Sequence, residues 1–188
     1  MIKPEELRNR YLSIDLDWIK SAEQLEFVNK LVFNKKNKKF KFGHQHNSIY
    51  EYYKSKKDII LFNIDDHHDM QVNSMNTVSE CTWVHHLIIN NIVKEYHWIK
   101  NISSIPFKGK NVNNILLKHY IFQTYDNYNF ILDMNFEEIF ICLSPEYLDP
   151  QLNLYPLYKT YINYCEINKI DHQVMILLRD HWETQINP

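Results

Sequence analysis

The run DIILFNIDDHHDM, residues 58–70, constrains the fold more than any other stretch of the chain. Its apolar part is too short for a helix and apolar at both alternating positions, which reads as a strand buried on both faces. Such strands belong to sheets covered by helices on either side. The run then turns abruptly into aspartate and histidine. Asp65, His67 and Asp69 lie two apart, so in extended backbone they point to one side. Three ligand-type side chains converging on one point invite a cation.

The rest of the chain repeats this alternation. YLSID (11–15) reads as a strand, followed by a helix over SAEQLEFVNKLVF (21–33) with Ser21 as N-cap. KKFKFG (38–43) reads as a second strand and NSIYEYYKS (47–55) as a short helix. SECTWVHHLIINNIVKEYHWIK (79–100) carries the longest helical pattern, with Trp83, Leu87, Ile88, Ile92 and Trp98 at three- and four-residue spacing. NILLKHYIFQTY (114–125) holds another strand and EEIFICL (137–143) a further buried one. PQLNLYPLYKTYINYCEI (150–167) reads as helical, broken or kinked at Pro156. Strand and helix in alternation imply an α/β protein, a three-layer α/β/α arrangement around a mostly parallel sheet. With no internal repeat, linker or shift in composition, residues 1–188 are expected to form one domain.

Composition removes several classes of function. Only Gly43 and Gly109 occur in 188 residues. A P-loop, a dinucleotide fingerprint and a GxSxG elbow each need glycines where backbone must approach closely, so their usual forms are excluded. The formal net charge is −2, which gives no electrostatic case for a nucleic-acid partner. Cys81, Cys142 and Cys165 show no CxxC spacing and fit a reducing compartment. The charged start MIKPEELRNR lacks the apolar core of a signal peptide, and no apolar run approaches the ~20 residues of a membrane helix. A cytoplasmic setting is expected.

In sheets of this class, functional residues sit just beyond the carboxyl ends of the strands. Those positions hold Asp15 and Asp17 in IDLD, His44 and His46 in GHQHN, the DDHHD segment, and Glu146 and Asp149 in SPEYLDP. Packing so many ionisable groups together without a cation costs several kcal/mol each in desolvation and repulsion, to order of magnitude. The mixed oxygen and nitrogen set suits Mn, Fe, Co or Zn.

IDDHHD resembles the D-x-H-x-D signature of the arginase and ureohydrolase superfamily. SIDLD resembles its S-x-D-x-D signature, and GHQHN the G-G-D-H segment that supplies a further histidine. Typical arginases carry the S-x-D-x-D element late, whereas here it opens a shorter chain. That order is similar to a group of small, atypical arginase-like hydrolases, some of which convert arginine to ornithine in ribosomally made precursor peptides. The resemblance implies an arginase/deacetylase-like fold and two Mn²⁺ ions. Asp65 and Asp15 would bridge them, His46 and Asp69 would complete one, and His67 and Asp17 the other. His68 points the opposite way and is left out of the ligand set.

Two divalent cations that share a water make it nucleophilic at neutral pH, and hydrolysis of a guanidinium then gives urea and an amine. The cationic substrate needs a carboxylate, and Glu146, after the EEIFICL strand, is the candidate. Asp69 and His85 are further candidates for the chemistry, and Glu80, Trp83 and His44 for substrate contact. The expected partner is a peptide substrate. Three alternatives stay open: a two-metal phosphoesterase of the type named for its DHH triplet, a non-catalytic, metal-stabilised binding module for a peptide or partner protein, and an amide-hydrolysing deacetylase on the same scaffold.

Overall fold

A computed structural model describes residues 9–34, 39–71, 77–104, 123–124, 128–148 and 152–175. Among the described residues seven strands form one sheet: β1 (Arg10–Asp15), β2 (Lys39–Gly43), β3 (Ile59–Ile64), β4 (Val93–Ile99), β5 (Gln123–Thr124), β6 (Glu138–Cys142) and β7 (Asp171–Met175). Their order is β5-β4-β3-β1-β6-β2-β7, and every neighbouring pair is parallel. The helices are α1 (Ala22–Val32), α2 (Ser48–Tyr53), α3 (Trp83–Ile89) and α4 (Tyr155–Ile167).

Alternation along the strands sends side chains into two separate cores, which makes the arrangement a three-layer α/β/α fold. Leu12, Ile14, Phe40, Phe42, Ile139 and Ile141 pack with α1 and α4 on one face. Tyr11, Leu61, Tyr96, Trp98 and Phe140 pack with α2 and α3 on the other. Gly43 closes β2 where space is short: a Cβ there would lie 2.2 Å from Ser48 Oγ and 2.9 Å from the Phe140 ring. Among the described residues no helix is long and apolar enough to cross a membrane.

Three expectations need correction. The pattern over 79–100 is not one helix. α3 ends at Ile89, Asn91 takes a left-handed φ of 56°, and the N–H groups of Asn91 and Ile92 bond back to the carbonyls of Ile88 and Leu87. This Schellman motif stops the helix, and the chain continues as β4. Pro156 neither breaks nor kinks α4; it occupies the first turn, where its missing N–H has no helical partner to lose. β7 was not anticipated: it is a largely exposed edge strand, DHQVM, without an apolar signature. Of the strand expected in 114–125, only Gln123–Thr124 is described; residues 114–122 and 125 lie outside the described residues.

Candidate metal centre

Strand register brings the donors together. Asp15 at the end of β1 pairs with Cys142 of β6, which also pairs with Gly43 of β2, and Ile14 pairs with Ile64 of β3. Four central strands therefore end level, and the residues that follow them share one crevice. Beyond β1 the chain tightens into a 3-10 turn, Leu16–Trp18, capped by Asp15, whose Oδ1 accepts the Asp17 N–H at 3.1 Å. The turn, not an extended alternation, carries Asp17 to the site.

Segment 65–69 is not extended either. Asp65 Oδ1 accepts the His67 N–H at 2.8 Å, and Asp69 holds a left-handed φ of 51°. Short polar side chains tolerate such backbone best, because they can bond locally. Two overlapping groups result. His46 Nδ1 lies 3.1 Å from Asp15 Oδ2, 3.2 Å from Asp65 Oδ2 and 3.1 Å from Asp69 Oδ2. His67 Nδ1 lies 3.3 Å from Asp17 Oδ2 and 3.8 Å from Asp65 Oδ1. Asp65 thus gives one oxygen to each group. His68 turns away, packing edge-on against Trp98 and accepting the Met70 N–H on Nδ1.

The donor set fits a cation. Asp15, Asp17, Asp65 and Asp69 are all buried, and Asp17 Oδ1 has no hydrogen-bond partner among the described residues. A buried carboxylate oxygen without a donor is costly. Burial, and then the charge of a neighbouring aspartate, pushes Asp17 and Asp65 well above the usual carboxylate range. Burial lowers the His46 pKa, but the charges of Asp15 and Asp65 outweigh it and raise it overall. His67 is raised chiefly by its hydrogen bond to Asp17. Without a metal the cluster collects protons; a metal ion supplies the same positive charge in one place. Asp15, His46 and Asp65, and likewise Asp17, Asp65 and His67, could hold a metal ion.

A layer of contacts orients these groups. Trp83 Nε1–H donates to Asp69 Oδ2 at 2.6 Å, and Ser144 Oγ donates to Asp15 Oδ2 at 2.5 Å. Ser13 Oγ sits 2.7 Å from His46 Nε2, which leaves Nδ1 facing the carboxylates. Asn63 Nδ2 donates to Asp65 Oδ2 at 3.1 Å. Sequence reasoning gave Ser13, Asn63 and Ser144 no role at the site. Ser13 and Asn63 were findable, since each lies two residues before an aspartate and shares its strand face. Ser144 stands two residues past the end of β6, inside the strand-end region already singled out.

The cluster floors a cleft of about 100 Å³ lined by Asp15, His46, Asp65, His67, Asp69, Glu80, Cys81, Ser144 and Tyr147. Glu80 is therefore at the cleft. Glu146 is exposed and does not line it; the turn after Ser144, which has a φ of 42°, presents Tyr147 instead. Trp83 is fully buried and donates to Asp69, so its contact is with that carboxylate and not with the cleft's contents. His85 is not brought to the cleft: its ring lies beside His86, and burial lowers its pKa. Nor is His44, which packs against Tyr158 of α4. Asp149 lies outside the described residues. The chain matches no protein-family model, no curated protein and no solved structure.

Proposed function

We propose that the protein is a dinuclear metallohydrolase, loaded best with Mn²⁺, that hydrolyses the guanidinium of arginine side chains in a peptide to ornithine and urea. The observation that carries this reading is the Asp65 carboxylate, one oxygen in each of two Asp/His groups at the strand ends. Asp65 would serve both ions, with His46, Asp15 and Asp69 on one side and His67 and Asp17 on the other; Asp15, expected to bridge as well, lies in the His46 group alone. Divalent cations held there would supply Lewis acidity and lower the pKa of water enough for it to act as a nucleophile near neutrality.

The chain's own residues do the positioning. Trp83 and Ser144 fix the lone pairs of Asp69 and Asp15 by donating to them, and Ser13 fixes the ring of His46. Such outer contacts set ligand orientation and basicity. Charge favours this reading over phosphodiester cleavage. Among the described residues none lining the cleft is Lys or Arg, and Glu80 adds negative charge beside the aspartates. Beyond the metal ions a phosphate would meet no Lys or Arg there, whereas a guanidinium would meet a carboxylate.

The test is to load the protein with Mn²⁺ and assay urea release from arginine-containing peptides, with mass spectrometry of the peptide product. Ornithine-containing product with stoichiometric urea supports the reading. Absence of urea from every arginine peptide, together with cleavage of a phosphodiester, refutes it.

A further inference from the structure

We infer that Glu80 and Tyr147 form the recognition pair of the cleft, a carboxylate and an aromatic ring that together select a planar guanidinium carried on a neutral chain. This rests on the hydrolase reading and specifies its substrate end. Both residues line the cleft, where the Tyr147 hydroxyl and the Glu80 carboxylate interact. The Tyr147 ring stands 5.4 Å from that of His67, with 46% of the residue exposed. It reaches both the metal cluster and the mouth.

Its position is fixed. Tyr147 N–H bonds to Ser144 O at 3.0 Å, Ser144 N–H bonds to His44 O at 2.9 Å, and Ser144 Oγ bonds to Asp15. The turn bearing Tyr147 is thus pinned to the same carboxylate that serves the cluster. Charge then decides what can enter. Two divalent cations would balance the four aspartates, so Glu80, the other carboxylate among the described lining residues, with the charge of Glu146 near it, would make the cleft negative. A half-buried carboxylate facing a cleft with no Lys or Arg favours a cation.

The shape of that cation follows from the pair. A carboxylate takes two parallel N–H donors from a guanidinium, and an aromatic ring stacks on its plane. An ammonium gains less from either. Among the described residues no Lys or Arg lines the cleft to meet a free α-carboxylate, which favours an arginine whose backbone groups are already in amide linkage.

The experiment measures binding and turnover separately on Mn²⁺-loaded protein. The calorimetric probes are N-acetyl-arginine amide, free arginine and N-acetyl-lysine amide. Wild type should prefer the first. Glu80→Gln should weaken its binding roughly tenfold or more, as expected for losing a charged hydrogen bond. Metal content and melting temperature should stay at the wild-type level. Tyr147→Leu should weaken binding, Tyr147→Phe should retain most of it, and Glu146→Gln should weaken it less than Glu80→Gln does. The pair is overturned if wild type does not bind N-acetyl-arginine amide, if the lysine compound binds as tightly, or if Glu80→Gln binds like wild type. Urea release separates the two ideas. Glu80-dependent binding without urea removes the hydrolase and keeps the pair; urea released by Glu80→Gln at the wild-type rate removes the pair and keeps the hydrolase.

Discussion

Trp83→Phe tests whether the cluster is held by oriented donors or merely by packing. Trp83 is fully buried at the start of α3, donates to Asp69 at 2.6 Å, and has its ring 4.7 Å from that of His46. Phenylalanine keeps an aromatic ring in place and removes only the donor and part of the volume. A hydrogen bond to a charged acceptor contributes about 1.5–3 kcal/mol, and burial leaves no solvent to replace it. Metal affinity should therefore fall about 10- to 100-fold, the usual effect of losing an outer partner of a ligand. Trp18→Phe is the matched control. Trp18 is equally buried, but its Nε1 has no hydrogen-bond partner among the described residues, so this change costs packing alone. The assay is calorimetric Mn²⁺ titration against a competing chelator, with denaturant melts in excess chelator to record the packing cost. Equal losses of affinity in the two variants, or affinity within twofold of wild type in Trp83→Phe, would refute the donor argument.

Asp65→Asn takes a negative charge from both groups at once, so metal retained after dialysis should drop by at least half; full retention would show that Asp65 does not bridge. Removing metal with chelator should lower the melting temperature by several degrees, to order of magnitude, because ions that bind only the folded state stabilise it by mass action; a superimposable melt after verified removal counts against the cluster. His97, stacked on Phe62, has its pKa lowered by burial and by Arg10, with Glu95 opposing. Its folded-state pKa lies below the unfolded one, so its contribution is present above the ordinary value of about 6.5. That contribution is lost as pH falls below it. His97→Phe should accordingly flatten the acid side of the stability profile, and an unchanged slope in denaturant melts at pH 5 to 7 would reject it.

The sheet was legible where burial on both faces erased polar alternation, as in IILFNI and EIFIC. It was misread where periodicity continued across a reversal of the chain. Ile88 and Ile92 are four apart and both enter the core under α2 and α3, so their spacing looks helical. Yet Ile88 belongs to α3 and Ile92 lies beyond the left-handed Asn91. The same Schellman geometry ends α4, where Lys169, with a φ of 54°, sends the chain into β7. In neither case does a glycine announce the turn. An exposed edge strand such as β7 has no buried face, and so no pattern to read.

The site divides along the same line. Donor types at the strand ends were visible in the sequence, because parallel register makes every strand end a neighbour of the next. Which of two nearby acids enters the cleft was not, because that depends on one backbone angle. Glu146 was placed at the rim because it follows β6 and because a cationic substrate needs a carboxylate. Instead Ser144 adopts a positive φ, spends its hydroxyl on Asp15, 129 positions earlier, and turns Tyr147 inward. Glu80 comes from another part of the chain, a turn ahead of α3, and lines the cleft. A contact across 129 positions has no local signature, and it is such contacts that decide which carboxylate a substrate would meet.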